Sequence, residues 1–249
     1  MAPAPYRQKR GGSMREVFLS NHLQRQANRS FAICLASLAF ALTLLAVGVA
    51  MASVLVIWAS MVALAISGFI VTKYGPTHMT YRHGMQGERI LRNWLRSSGL
   101  DDDHTAYYNL PLNGNGRASD IDCILVGPPG LFIFEVKHHH GLIFHRNGIW
   151  ARIKIGQGGT FYRGQLGDPS GQLYRNIRRL KGLLGRTDGL WFNGAVVFTN
   201  PRTVLDIEGL RWVRAVAVKD LDHVLSKRTV LSVEQTNSIN SRLASLVKK

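Results

Sequence analysis

Four ionisable residues stand in and beside two apolar runs in SDIDCILVGPPGLFIFEVKHHHG, Ser119 to Gly141: Asp120 and Asp122 before CILVG, Glu135 and Lys137 after LFIF. Burying a charge costs several kcal/mol unless it is paired or bound to a cation, so these groups are either solvated strand ends or placed for chemistry. If Gly127-Pro128-Pro129-Gly130 connects a hairpin, Val126 faces Leu131, Asp122 faces Glu135 and Asp120 faces Lys137. Side chains alternate along a strand. Asp120, Asp122, Glu135 and Lys137 then share one face, and Ile121, Cys123 and Leu125 point the other way with Phe132, Phe134 and Val136. Two carboxylates directly across a strand pair repel, and a divalent cation between them reverses that. Mg²⁺ is a hard ion that takes one or two protein carboxylates and keeps its other positions for water and phosphate oxygens. Lys137, on the same face, is placed to orient a water or neutralise charge on a phosphate. A register slip of one residue would undo this pairing and leave strand-end charges balancing one another in solvent.

The elements that must hold these residues form an α/β pattern from Lys73 onward. MQGERILRNWLRSSGL, Met85 to Leu100, carries Ile90, Leu91, Trp94 and Leu95 at helical spacing and ends at Gly99. Strands are expected over Ala106–Leu110, Ile121–Val126, Leu131–Val136, Gly141–His145 and Ile149–Ile153. Gly156 to Gly167 is glycine-rich and reads as a loop. Asp168 to Gly185 opens with a cap signal and repeats Leu173, Ile177, Leu180 and Leu184 at helical spacing. Ala195–Asn200 and Val213–Val218 are further strands, and Val233–Val247 a last amphipathic helix.

Ahead of this pattern, Ser30 to Thr72 contains no Asp, Glu, Lys, Arg or His. One membrane crossing takes roughly 20 residues, so the stretch is long enough for two helices meeting in a turn near Gly48 to Ser53. Arg7, Lys9, Arg10, Arg15, Arg25 and Arg29 precede it, and Lys73, Arg82, Arg89, Arg92 and Arg96 follow. Basic flanks on both sides predict a multi-pass membrane protein with both termini and the C-terminal domain cytoplasmic. The first 30 residues read as a basic, mobile arm. A net charge of +16 over 249 residues calls for an anionic partner, nucleic acid or lipid headgroups. Two cysteines, Cys34 and Cys123, exclude a disulfide framework and a four-cysteine zinc site.

D-I-D, twelve residues and then E-V-K resembles the active-site core of the PD-(D/E)xK nuclease superfamily, and the surroundings are similar to its nuclease-related domain, NERD. The resemblance runs from about Gly84 to Pro201. It includes Gly87-Glu88 at a helix start, Asp122, Glu135-Val136-Lys137, Gly141, Trp150, the helix start at Pro169 to Gln172, and VVFTN. It implies a restriction-endonuclease-like mixed sheet flanked by helices, here preceded by a two-helix transmembrane hairpin. Residues 1–30 would be the arm, 31–72 the hairpin and 80–249 the nuclease-like domain. It further implies that Asp122, Glu135 and Lys137 form the catalytic core, with Glu88 and Gln172 in support. Asp122 and Glu135 would hold Mg²⁺ or Mn²⁺, and the activity would be hydrolysis of nucleic acid, DNA ahead of RNA. A non-catalytic nucleic-acid-binding membrane tether is the alternative, and a module binding anionic lipid alone is a third.

Two features compete with this reading. His138-His139-His140 with His145 suggests zinc, but adjacent strand residues point to opposite faces, so at most two of them share an ion. Gly114-Asn115-Gly116 and Gly156-Gln157-Gly158-Gly159 lack the Lys-Ser/Thr of a phosphate-binding loop. The phosphate contacts are expected from Arg175, Arg178, Arg179 and Lys181, with Arg186 beyond them, all on or just after one helix. A merely solvated helix face is the alternative, and no acid follows these arginines until Asp188.

Overall fold

The computed structural model describes residues 13–112, 119–156, 158–164, 166–185, 190–225 and 228–247. Residues 1–12 of the expected arm, the Gly114-Asn115-Gly116 loop, Gln157, Arg186 and Asp188 lie outside these ranges. The chain divides into two compact units, residues 21–86 and residues 1–20 with 87–249.

The first unit is a helical hairpin. Helix α1 spans His22–Ala50 and α2 spans Val54–Ser97, joined at Met51 to Ser53, where Ala52 takes φ +49°. The turn falls inside the expected Gly48 to Ser53. Both helices are long and apolar enough to cross a membrane, with mean hydropathy 2.5 over their most apolar stretches. The Ser37 and Ser67 hydroxyls meet at 3.2 Å, and His78 Nδ1 lies 2.9 Å from the Ala27 carbonyl. These contacts run the helices antiparallel, so Arg29 and Lys73 lie toward the same end. Helix α2 continues past the apolar part, which ends at Thr72, as far as Ser97. Gly87 and Glu88 are therefore inside a helix rather than at its start.

The second unit holds two sheets. Its strands are β1 Arg15–Phe18, β2 Thr105–Leu112, β3 Ser119–Gly127, β4 Gly130–Lys137, β5 Gly141–Arg146, β6 Ile149–Ile155, β7 Phe161–Gly164, β8 Phe192–Phe198, β9 Thr203–Ile207 and β10 Arg214–Ala217. Helices α3, Pro169–Leu184, and α4, Val233–Val247, and a 3₁₀ turn at Val218–His223 complete it. The larger, mixed sheet has the order β1-β2-β3-β4-β8-β10, and the smaller one β7-β6-β5-β9. One face of the larger sheet buries Ile124, Leu131 and Ile133 with Leu173 and Leu180 of α3 and Leu243 of α4. The other buries Leu125, Phe132 and Phe134 with Leu91 and Leu95 of α2. This is the mixed sheet flanked by helices that the sequence predicts.

Three strands depart from expectation. Arg15–Phe18, assigned to the mobile arm, pairs parallel with β2. It is pinned there by Arg96, which donates to Glu16 at 2.6 Å, and by Arg92, whose guanidinium lies 4.5 Å from the Phe18 ring centre. Phe161–Gly164, inside the expected loop, pairs antiparallel with β6. Strand β9 lies where the sequence predicts no element, and it pairs parallel with β5.

Candidate active site

The β3–β4 hairpin has the expected register from Gly127 opposite Gly130 to Cys123 opposite Phe134. There the ladder ends. Strand β4 continues paired with β8, through Glu135 opposite Val196 and Lys137 opposite Phe198. In place of the next rung, the Val136 amide donates to Asp122 Oδ2 at 2.6 Å. Asp122 and Glu135 are thus brought together across a split between two strands, not as a ladder pair. Asp120 does not face Lys137: it pairs with Pro111 of β2, and its carboxylate accepts from the Ser20 hydroxyl at 3.4 Å.

The alternation of faces also breaks at this level. Tyr108 and Cys123 lie in the layer beneath α2, while Leu110 and Ile121 lie in the layer beneath α3 and α4. Ile121 therefore does not point with Cys123 as the uniform pattern required. Between these rungs stand Asn109 and Asp122, and Asn109 takes φ +58°, a left-handed conformation that asparagine tolerates better than most residues. An asparagine inside the run TAYYNLPL is the one sequence signal of this break.

Helices from both sheet faces converge on the split. Gly87 brings α2 against the sheet: a Cβ there would lie 3.0 Å from His138 Cβ and Thr199 Oγ1, and 3.1 Å from Val136 Cγ1. The next residue, Glu88, is 8% exposed and accepts from Asn109 Nδ2 at 3.1 Å. From the other face, Gln172 Oε1 accepts from Lys137 Nζ at 3.3 Å, and buried Asn176 donates to the Asp120 carbonyl at 3.4 Å. Helix α3 is started by Asp168, whose carboxylate accepts from the Gly171 amide at 2.8 Å. Trp150 ties it to the smaller sheet through the Ser170 hydroxyl at 2.9 Å. Glu88, Asp122, Glu135, Lys137 and Gln172 are all gathered at one place.

The electrostatics follow from burial. Glu135 is 1% exposed, and its carboxyl is pushed up to about 8 by desolvation and by Asp122, against the pull of Lys137 and Arg175. Asp122 is raised to about 6, mainly by desolvation, with Lys137 and the Val136 amide opposing. Glu88 is raised to about 7 by desolvation and then by Asp122. For Lys137, desolvation favours the neutral amine, but Glu135 and Asp122 outweigh it and the pKa rises. Lys137 Nζ donates to Glu135 Oε1 at 2.7 Å. Glu135 Oε2 is buried and has no hydrogen-bond partner among the described residues. An acceptor left dry costs about 1–3 kcal/mol, more if charged. Two carboxylates, one with an unspent oxygen, fit a hard divalent cation.

The histidines serve elsewhere. His138 Nδ1 meets Thr199 Oγ1 at 3.0 Å, His139 Nδ1 meets Arg152 at 2.7 Å, and His145 Nδ1 meets the Glu208 carbonyl at 2.6 Å. Among the described residues, no group of three or more His, Cys, Asp or Glu is placed to hold a metal. Of the expected phosphate contacts, Arg175, Arg178, Arg179 and Lys181 are exposed on α3. Arg175 acts on Glu135, and Lys181 lies 4.8 Å from the Phe192 ring centre.

The second unit is thus a mixed α/β domain with two carboxylates and a lysine at a split between central strands. Residues 83–199, somewhat less than half of the chain, match the family model of the nuclease-related domain, NERD. A stretch of 127 residues, 50% of this chain, is 29% identical to the protein named "Probable kinase PglW" of Streptomyces coelicolor. It covers 8% of that relative, so this chain spans only a small part of its length. No solved structure matches.

Proposed function

We propose that this protein is a membrane-anchored, metal-dependent hydrolase of nucleic-acid phosphodiester bonds, DNA first and RNA second. The observation that carries the proposal is Glu135, buried at the strand split with Oε1 on Lys137 and Oε2 without a partner among the described residues. Asp122 and Glu135 would hold Mg²⁺ or Mn²⁺. When bound, such an ion supplies Lewis-acid polarisation of a phosphoryl oxygen and counter-charge for the two carboxylates. Lys137 is oriented by Glu135 and Gln172, and an ammonium has three donors, so one remains for a water or a phosphate oxygen. Glu88 supports Asp122 from α2, with its carboxyl raised to about 7 by burial and by Asp122. Arg175, Arg178, Arg179 and Lys181 receive the strand's phosphates. The hairpin anchors the chain with both termini cytoplasmic, because Arg29 and Lys73 flank one end of it.

The test uses the full chain in detergent with labelled DNA and RNA. Glu135→Gln and Lys137→Met should each lower Mg²⁺- or Mn²⁺-dependent cleavage by on the order of 10² or more. Glu135→Gln should also weaken metal binding, and Lys137→Met should largely spare it. A wild-type chain that binds nucleic acid and cuts it with neither metal would convert the assignment to a tether. Cleavage unchanged in both variants would mean that the site lies elsewhere.

A further inference from the structure

A groove of about 320 Å³ lies on the far side of the first turn of α3. It is lined by Asp168, which caps α3, by Gly171 and Tyr174 of the first two turns of that helix, and by Arg211 and Trp212 beyond β9. Its volume is at the small end of the range for small-molecule sites. Trp212 is 81% exposed and Tyr174 49% exposed, so two rings rim the groove without being used by the core. The start of α3 offers no free phosphate seat, because the Asp168 carboxylate already accepts from the Gly171 amide and the Ser170 hydroxyl. A carboxylate in the groove disfavours an anion but accepts from the exocyclic amino group of a base. Around it the charge is reversed: Arg211 is in the lining, and Arg175 and Arg178 follow Tyr174 on α3. Gly171 lines the groove while its neighbour Gln172 reaches Lys137, so groove and acid site lie on two sides of one helical turn.

We propose that this groove takes an unpaired nucleobase of the strand whose phosphate lies at Asp122, Glu135 and Lys137, making single-stranded or frayed nucleic acid the preferred substrate class. The inference rests on the hydrolase reading above. Paired bases in a duplex cover one another's faces, whereas an unpaired base stacks on aromatic rings irrespective of sequence. The flanking arginines meet the phosphates on either side of it.

The experiment measures binding of the full chain in detergent, with EDTA present, to a labelled single-stranded oligonucleotide and to its duplex. A stacked base contributes about 1–3 kcal/mol, so Trp212→Ala should weaken single-strand binding by about 5- to 150-fold. Duplex affinity should stay within about twofold, and Trp212→Phe should keep most of the single-strand affinity. With the unaltered protein, a single abasic position in the oligonucleotide should reproduce the loss, and Trp212→Ala should add little to it. Unchanged single-strand binding in Trp212→Ala, or equal losses for both forms, would overturn the proposal. So would a loss seen only on phosphatidylglycerol vesicles, which would assign Trp212 to the bilayer surface. Binding in EDTA is independent of cleavage. A chain that cuts but tolerates Trp212→Ala refutes the groove alone, and one that loses single-strand binding yet never cuts refutes the hydrolase alone.

Discussion

In the absence of divalent metal, Glu135 should make the folded protein lose stability as pH rises. A carboxyl whose folded value lies above its unfolded one stabilises fully below the unfolded value, and that contribution is lost as pH climbs through the folded value. Taking Glu135 from its ordinary 4.5 to about 8 in the fold, the loss between pH 5 and pH 8 is about 3–4 kcal/mol at about 1.4 kcal/mol per pH unit. Asp122, raised to about 6, contributes with the same sign and is not additive, since each carboxylate opposes ionisation of the other. For a chain of this size about 3 kcal/mol corresponds to on the order of 10 °C in Tm. The assay is thermal unfolding of the full chain in detergent with EDTA, followed by tryptophan fluorescence from pH 5 to 8.5. Glu135→Gln removes the largest titrating contribution and should flatten part of the slope, since Glu88, raised to about 7, adds a share of the same sign. It also leaves Lys137 without its closest partner, so Glu135→Gln/Lys137→Met is the cleaner comparison. Saturating Mn²⁺ should raise the wild-type Tm more at pH 8 than at pH 5, because the metal takes ionised carboxylates. Wild type and both variants falling in parallel would refute the assignment of the slope to Glu135.

Further outcomes follow from the same geometry. Metal binding at pH 7 should release about one proton, mostly from Glu135, read by calorimetry in buffers of different ionisation enthalpy. Gly87→Ala places a methyl against His138 and Thr199 and should cost about 1–3 kcal/mol in thermal unfolding, with a further fall in cleavage as Glu88 is displaced. Arg178→Gln and Arg179→Gln should each lower the salt dependence of nucleic-acid binding by about one unit of slope, uniformly across sequences, in anisotropy titrations. Reporter fusions at the two termini should both read cytoplasmic, and opposite readings would mean that the hairpin does not cross twice.

What the sequence determined by itself is what depends on local pattern. The uncharged run from Ser30 to Thr72, the apolar strands on either side of Gly127 to Gly130, and the stripe of α3 each state their element through composition or period, because burial is decided residue by residue along one element. The E-V-K spacing and Asp122 named the central groups for the same reason, as charges in runs that otherwise exclude them. The tertiary structure decided what depends on competing partners. Strand β4 parts from β3 after Phe134 while its other edge stays paired with β8 from Leu131 to Lys137, and the parting turns an expected facing carboxylate pair into a split in which Asp122 takes the Val136 amide. Arg15–Phe18 is a strand only because β2 has an open edge and Arg92 and Arg96 hold it, and four residues in a basic stretch carry no signal of that. Asn109, Gln172 and Glu88 each lie more than a dozen residues in sequence from Asp122 and Glu135. Their convergence is a property of which faces the sheet buries, and no window along the chain contains it.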